Sequence, residues 1–266
     1  MNAVGIIAGS GRLPFVAAAE ARAQGRRVVA VGVRGETDPS LADVVDALHW
    51  VRLGQLGAVV KSLRREGVSE ALLLGKVDIT HLFSSIRPDL LGARVLFKAR
   101  DLRGDSVLET IVETLGAEGI RILETPPFLG PLLFEAGLLT RRAPSEQEQR
   151  DITLGREVAR QIAGLRIGQT VVLKNGTVVA VESVEGTDAA IRRGGQLGRG
   201  GVVVVKVARV DQDLRFDLPT IGTETLAALR DAGATALALD AGRTLLLDRE
   251  RFVSGAEALN LAVVAG

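Results

Sequence analysis

Short apolar segments alternate with helix-like segments through the first half of the chain, and no other feature limits the fold as strongly. The apolar segments are "VGIIA", "RRVVAVGV", "EALLLG" and "IRILE". The residues between them predict helices from about 14 to 24, 56 to 66 and 105 to 115. Strands that are apolar on both faces and separated by helices indicate a parallel sheet covered on both sides. We therefore expect an α/β domain here.

The second half of the chain follows a mixed pattern. A segment with four prolines, "TPPFLGPLLFEAGLLTRRAPS", interrupts the alternation and is typical of a domain connection. Ser145 and Glu148 then form a Ser-x-x-Glu capping box that predicts a helix to about Ala163. "TVVLKNGTVVAVE" predicts a hairpin that turns at Asn175-Gly176. The predicted boundaries are 1–130 for the first domain, 131–144 for the connecting segment and 145–266 for a mixed α/β domain.

Absent and rare residue types exclude several classes of enzyme. The chain has no cysteine, which excludes disulfides, thiolate metal sites and cysteine nucleophiles. It has no tyrosine, which excludes tyrosine–lysine dehydrogenase chemistry, and two histidines are too few for a multi-histidine metal centre. A formal net charge of +1 gives no indication of a nucleic-acid partner. Without a signal peptide or an apolar run near the ~18 residues that span a bilayer, a cytoplasmic protein is expected.

The first apolar segment runs into a glycine turn formed by Gly9, Ser10 and Gly11. A dinucleotide-binding fingerprint requires a third glycine where Pro14 stands, and an acidic residue near the position of Arg34. A plain NAD site is therefore disfavoured. Two interpretations stay open, a tight strand-to-helix turn and a turn whose amides hold a phosphate.

Five further residues are candidates for the site, and the three that begin predicted helices have a structural alternative. Lys76 follows a buried strand, so it is expected at the carboxyl edge of the sheet, where ligands of such sheets bind. Asp105 opens a predicted helix and is either a cap or a site residue. Thr187 and Asp188 in "EGTDAAIRR" begin another predicted helix, as caps or as ligands, with Arg192 or Arg193 facing a phosphate.

The motifs "GIIAGSGRLP", "GKVD", "RGDSVLETIV", "VAVESVEGTDAAIRR" and "FDLPTIG" follow one another in order across essentially the whole chain. Together they resemble the UDP-2,3-diacylglucosamine pyrophosphatase family of lipid A synthesis, in its non-metallophosphoesterase form. The resemblance implies a Rossmann-like parallel-sheet N-terminal domain, a catalytic C-terminal domain, a substrate cleft between them, and homodimers. The implied reaction is magnesium-dependent hydrolysis to UMP and 2,3-diacylglucosamine 1-phosphate (lipid X), with water attacking the uridine-side phosphorus.

Diphosphate hydrolysis requires neutralised charge, a positioned water and a stabilised leaving phosphate. Mg²⁺ suits a chain rich in carboxylates, because it binds one or two of them together with waters and phosphate oxygens. Asp217, in a loop before Pro219, is the expected catalytic residue as metal ligand or water-orienting base, with Asp188 as a second metal ligand. The alternative for Asp217 is a turn or cap. The expected substrate-binding residues are Gly9, Ser10, Gly11, Lys76, Asp105, Thr187, Asp188 and Arg192.

The segment from 81 to 103 mixes large apolar residues with arginine and lysine. It predicts a lipid-binding region, a peripheral contact with an anionic membrane surface, or an ordinary amphipathic helix of the core. His49 and His81 are expected to be structural. Two other functions stay open at this level, an NAD(P)-dependent Rossmann oxidoreductase and a nucleotide-sugar-binding protein without catalysis.

Overall fold

The computed structural model describes residues 3–77, 88–98, 104–209, 212–216 and 218–266, without the side chains of residues 104 and 105. The chain divides into two compact units. The first comprises Met1–Leu129 and Leu214–Phe216, and the second comprises Gly130–Asp213 and Asp217–Gly266. No helix of the described residues is long and apolar enough to cross a membrane.

The first unit contains a five-stranded parallel sheet in the order β3-β2-β1-β4-β5. Its strands are β1 (Ala3–Ala8), β2 (Arg27–Val33), β3 (Ala47–Val51), β4 (Glu70–Leu74) and β5 (Arg121–Ile122). The helices of the described part are α1 (Leu13–Ala23), α2 (Leu56–Arg65), α3 (Leu90–Lys98) and α4 (Gly104–Ala117), with short 3-10 turns at Pro39–Asp43 and Pro126–Phe128. The predicted α/β class and the parallel sheet are confirmed.

Strand β3 was not predicted from the sequence. Its segment "ALHWV" lies at the edge of the sheet, where four of its five residues stay partly exposed. An edge strand of this kind lacks the continuous burial that makes β1 and β2 apolar throughout.

The second unit contains a six-stranded mixed sheet in the order β6-β13-β11-β9-β7-β8, with a separate pair β10–β12. Strands β9, β11 and β13 run parallel, whereas β6, β7 and β8 pair antiparallel to their neighbours. The strands are β6 (Gly137–Leu138), β7 (Thr170–Lys174), β8 (Thr177–Val181), β9 (Val202–Lys206), β10 (Thr220–Ile221), β11 (Ala234–Leu239), β12 (Leu245–Leu246) and β13 (Ala262–Ala265). The helices are α5 (Glu146–Gly164), α6 (Thr187–Gly198), α7 (Thr223–Asp231) and α8 (Arg249–Ala258), after a 3-10 turn at Gly130–Leu132.

Alternation along the strands gives this sheet two apolar faces. Val171, Leu173, Val203 and Val205 lie in one cluster with buried residues of α5. Val172, Val202 and Val204 lie in another with buried residues of α6, α7 and α8. The mixed α/β prediction is therefore confirmed for this unit, and α6 starts beside the end of β9.

Two local predictions in the second unit are confirmed. The Ser145 hydroxyl accepts the Glu148 amide at 3.3 Å, and Glu148 Oε2 accepts the Ser145 amide at 2.7 Å, which completes the capping box of α5. Asn175 and Gly176 have φ of +49° and +78°, as the hairpin turn between β7 and β8 requires. Both signals are local in sequence, so packing elsewhere does not override them.

Candidate functional site

In the first unit, the turn after β1 crosses the loop after β4 at the carboxyl edge of the sheet. The Ser10 amide donates to the Lys76 carbonyl at 2.7 Å, and the Lys76 amide donates to the Ser10 carbonyl at 3.0 Å. The Ser10 hydroxyl also donates to the Lys76 carbonyl, at 2.9 Å, and the Gly9 amide donates to Leu74 O at 2.8 Å. The donors of Gly9 and Ser10 are thus occupied within the protein.

Glycine is required at this crossing for two different reasons, lack of space for a Cβ and a positive φ. A Cβ on Gly9 would collide with the Lys76 carbonyl oxygen, and one on Gly75 would lie 2.7 Å from Ser10 O. Gly11 has φ of +95° and no neighbouring atom within 4 Å of an added Cβ, so its requirement is conformational. These are the demands of a tight turn, and a phosphate contact by Gly9, Ser10 or Gly11 stays a prediction.

The Lys76 side chain is exposed at this edge, and its ammonium group has no hydrogen bond or ion pair within the described part of the chain. The exposed Arg34, at the end of β2, is likewise unpaired among described residues. The carboxyl ends of β1, β2 and β4 thus bring Gly9, Arg34 and Lys76 to one edge of the sheet. Two cations at such an edge suit an anionic ligand.

An apolar cavity of about 450 Å³ lies at the same edge of the first unit. Both β1 and Lys76 contribute to its lining, and most of the remainder is aliphatic. Lining residues from the surrounding strands and helices include Ile7, Val33, Val59, Leu74, Val95 and Ile111. A cavity of this chemistry takes a hydrocarbon chain rather than a polar group.

In the second unit, a buried lysine lies where β9 ends. Lys206 is 8% exposed, and its ammonium donates to Thr187 Oγ1 at 2.8 Å. The Thr187 hydroxyl in turn donates to Glu182 Oε1 at 2.8 Å. Lysine is almost never buried to this degree unless it is paired. Sequence reasoning missed Lys206, although "VVVVK" carries the same signal, a lysine closing a buried strand, that identified Lys76.

The start of α6 differs from the predicted caps. Gly186, with φ of +80°, occupies the N-cap position, and no side chain among the described residues caps this helix. Thr187 and Asp188 therefore lie in the first turn, and the prediction that either is the N-cap is wrong. The physical reason is that the Thr187 hydroxyl bonds Glu182 and Lys206 instead of the helix amides. An uncapped helix start leaves amide donors for an anion.

Asp188 has a polar atom without a protein partner. Its Oδ1 is buried and has no hydrogen-bond partner within the described residues. A buried carboxylate oxygen is costly without a donor or a cation. Among the described residues, no group of three or more acidic or histidine side chains could hold a metal ion. Among the described residues, Asp188 Oδ1 is therefore a candidate metal-binding oxygen.

Arg192 is engaged on the surface of the second unit. Its Nε donates to Asp231 Oδ2 at 3.2 Å, and both side chains are largely exposed. Arg193 is held by Glu185 and by the Val181 carbonyl. The structure thus brings Thr187, Asp188 and Lys206 together but leaves Arg192 in an ion pair. A phosphate contact by Arg192 stays a prediction.

Three predicted positions lie wholly or partly outside the described residues. Asp217 and His81 are outside them, and Asp105 lies in the first turn of α4 with an undescribed side chain. His49 is described, and its Nε2 lies 2.9 Å from Glu66 Oε1, so its structural role is confirmed. Hydrogen bonds from Arg27, which has the larger effect, and from His49 keep the pKa of Glu66 below its usual value.

Comparison with known proteins gives matches along the whole chain. Family models of the LpxI N-terminal domain and the LpxI C-terminal domain match residues 3–132 and 135–264. The UDP-2,3-diacylglucosamine pyrophosphatase LpxI of Caulobacter vibrioides is 34% identical over 275 residues, which cover 99% of this chain and 97% of that protein.

Solved structures give only weak matches. The biotin carboxylase domain of the Hydrogenobacter thermophilus 2-oxoglutarate carboxylase has 12% identity and a TM-score of 0.29, over 65% of this chain and 35% of that chain. The Campylobacter jejuni biotin carboxylase has 10% identity and a TM-score of 0.27, over 73% and 41%. Neither score supports an inference about fold or ligand.

Proposed function

This chain belongs to the LpxI family, and on that basis we propose that it hydrolyses the diphosphate bond of UDP-2,3-diacylglucosamine. The products are UMP and 2,3-diacylglucosamine 1-phosphate, in the synthesis of lipid A. The observation that carries the proposal is 34% identity to a pyrophosphatase of that name over nearly the full length of both proteins.

The first unit supplies features that suit the lipid part of this substrate. Its strand order, 3-2-1-4-5, supports a Rossmann-like classification. The apolar cavity of about 450 Å³ at the carboxyl edge fits an acyl chain, and its lining includes Val95 from the predicted lipid-binding segment. Lys76 and Arg34 add positive charge beside it.

The second unit carries the groups that we propose for the diphosphate chemistry. Asp217 orients the attacking water or binds metal, and Asp188 is the second metal ligand. The uncapped first turn of α6 offers amides to phosphate oxygens. The buried, unpartnered Oδ1 of Asp188 fits a hard cation such as Mg²⁺. When bound, Mg²⁺ would neutralise diphosphate charge. A centre of carboxylates and amides is consistent with a chain that has two histidines and no cysteine.

We also propose that α3 contacts an anionic membrane surface, where a lipid-bearing substrate resides. Leu90 and Phe97 are 87% and 95% exposed. An open groove beside Leu90 is lined by Lys61, Arg65 and Arg94, which have no ion pair within the described residues. Exposed apolar side chains next to unpaired cations match the chemistry of a negatively charged bilayer surface.

The proposed function is tested with UDP-2,3-diacylglucosamine in oxygen-18 water, with and without Mg²⁺. We expect metal-dependent release of UMP that carries the label, because water attacks the uridine-side phosphorus. Label found only in the sugar phosphate would overturn that direction of attack. If the purified protein releases no UMP at any Mg²⁺ concentration, the proposed function is wrong.

A further inference from the structure

The polar chain from Lys206 through Thr187 to Glu182 joins three separate segments of the second unit. Lys206 ends β9, Thr187 begins α6, and Glu182 follows β8. Glu182 is itself fixed to the start of β7, because its amide donates to Thr170 O at 2.8 Å and its Oε2 accepts the Gln169 amide at 3.2 Å. The chain of hydrogen bonds therefore anchors the loop before α6 to the sheet.

The burial of Lys206 follows from its place in the strand. Alternation along β9 puts Lys206 on the same face as Val202 and Val204, which is the face that α6 covers. An ammonium group buried there must donate hydrogen bonds to protein groups. The Thr187 hydroxyl accepts a hydrogen bond from Lys206 and donates one to Glu182, so its orientation is fixed from both sides.

The hydrogen bonds among Lys206, Thr187 and Glu182 hold the start of α6, which lacks the usual N-cap side chain. Gly186 has no side chain to hold the first turn of α6, and no other side chain in the described part of the chain caps it. Lys206 and Glu182 instead hold the turn through Thr187, one residue before Asp188. The buried Asp188 Oδ1 has no partner within the described residues, which points to a ligand as its partner.

We propose that Lys206 is a positioning residue of this site, which acts through Thr187 to hold the Asp188 carboxylate where it meets the ligand. The role rests on the proposed function but is separate from metal binding or proton transfer, since Lys206 acts on the geometry of the first turn of α6. A loosened turn leaves substrate binding by other elements intact and lowers the fraction of enzyme that is ready to react.

The test compares Lys206→Met and Thr187→Val with Lys174→Met as a matched control. Lys174 ends the neighbouring strand β7 at the opposite edge of the same sheet, where its ammonium donates to the carbonyls of Gly198 and Gly200 at 2.7 and 2.8 Å. Its loss removes a partly buried, hydrogen-bonded lysine without touching the start of α6. Circular dichroism and urea unfolding first establish that each variant folds.

Two readouts are then measured, hydrogen exchange of the peptide from 182 to 192 and the steady-state kinetics of UMP release. In Lys206→Met and Thr187→Val, we expect exchange in this peptide to rise about tenfold or more, because the opening free energy of the turn falls. We expect kcat to fall about tenfold or more in both variants, with KM nearly unchanged in Lys206→Met, and the double variant to be no worse than either single one. Lys174→Met is expected to keep wild-type exchange in this peptide and wild-type kcat.

Each other outcome decides against the proposal. Normal exchange in Lys206→Met would show that Lys206 does not hold the turn. Faster exchange with kcat within about twofold of wild type would show that Lys206 stabilises the turn but does not position the site for the reaction. If the wild-type protein itself releases no UMP, the proposed function fails, and the exchange experiment still decides whether Lys206 holds the first turn of α6.

Discussion

At the scale of single residues, the crossing of two loops at the carboxyl edge of the first sheet sets strict and unequal demands on its glycines. Gly9 needs room, because a methyl group there meets a backbone oxygen that no rotamer change can move. Gly11 needs a positive φ, and a Cβ added there would have no neighbouring atom within 4 Å. The same residue type is therefore required for two different physical reasons in one turn.

Gly9→Ala is expected to destabilise the protein more than Gly11→Ala. The first change forces the β1 and β4 loops apart and should cost on the order of 3 kcal/mol in the free energy of unfolding, as overpacking does. The second costs about 1–2 kcal/mol from backbone strain alone. Urea unfolding monitored by circular dichroism measures both. Equal losses would show that the loops separate freely and that the crossing is not a tight contact.

Asp217→Asn is expected to lower kcat while the protein stays folded. The change keeps the size of the side chain and removes its charge, and a general base typically contributes about 10² to 10⁴-fold to the rate. Substrate affinity should change little, because the group acts mainly in the transition state. Rates of UMP release at saturating Mg²⁺ measure the effect. If the variant keeps more than about half of the wild-type kcat, Asp188 becomes the leading catalytic candidate.

At the scale of elements, α5 is held at its start by an ion pair as well as by its capping box. The Arg142 guanidinium donates to both carboxylate oxygens of Glu148, at 2.8 and 2.9 Å, and to the carbonyls of Asn260 and Thr235. Burial alone would raise the pKa of Glu148, but hydrogen bonds from Arg142 and the Ser145 amide outweigh it and lower the pKa to about 2. The start of α5 therefore depends on an ionised Glu148.

Glu148→Gln is expected to destabilise the protein by about 2 kcal/mol near pH 7, and by much less in acid. The folded pKa lies below the ordinary value of 4.5, so ionised Glu148 contributes stability above pH 4.5 and loses it as the pH falls to about 2. Urea midpoints of both proteins between pH 7 and pH 2.5 should therefore converge as the pH falls.

Glu146→Gln is the matched control for this prediction. Glu146 lies in the same first turn of α5, but its side chain is 97% exposed and 3.9 Å from Arg150. Its loss should change the unfolding free energy by less than about 0.5 kcal/mol at any pH. A pH-independent difference between wild type and Glu148→Gln would contradict the role of the ionised carboxylate.

At the scale of the whole molecule, the formal net charge is only +1, but cations that are unpaired among the described residues lie together on one face of the first unit. Lys61, Arg65 and Arg94 line one groove beside the exposed Leu90, and Phe97 is exposed on the same helix as Arg94. Each cation near an anionic surface contributes about 1 kcal/mol of attraction. The distribution of charge, rather than its sum, therefore determines the expected association with a membrane.

The double change Leu90→Ser with Phe97→Ser is expected to weaken binding to vesicles of anionic phospholipid. Insertion of such side chains contributes about 1.5–3 kcal/mol each, so the partition coefficient should fall about tenfold or more. Sedimentation with vesicles at low and high salt measures it, with Leu165→Ser, at a site 72% exposed in the second unit, as control. Wild-type protein that fails to sediment with vesicles at low salt would contradict the membrane contact.

Sequence reasoning succeeded where the determining contacts are local. The capping box at Ser145 and the turn at Asn175-Gly176 involve residues within four positions of each other, so their chemistry is visible in the sequence. Thr187 is the opposite case. Its place in the sequence is typical of a helix cap, but its hydroxyl accepts a hydrogen bond from Lys206, which lies 19 residues further along the chain.

The same reason explains why Lys206 and the apolar cavity were missed. The burial of Lys206 exists only once α6 has packed on the face of β9, and several elements of the first unit line the cavity. Apolar residues such as Val59 and Ile111 read as ordinary core positions in the sequence. A site composed of distant segments is therefore recognised only from the fold, whereas Lys76 was found because a strand end is a local signal.

The strand order of the first unit also has a consequence for synthesis on the ribosome. β1 is the first strand to emerge, yet it is the middle strand of its sheet and pairs with both β2 and β4. Lys76, which meets Ser10, lies 66 positions after it, and this length takes roughly 3–13 s to translate at about 5–20 residues per second. For that time an almost wholly apolar strand has one edge without a partner, so the nascent first unit is most exposed to misassociation before β4 emerges.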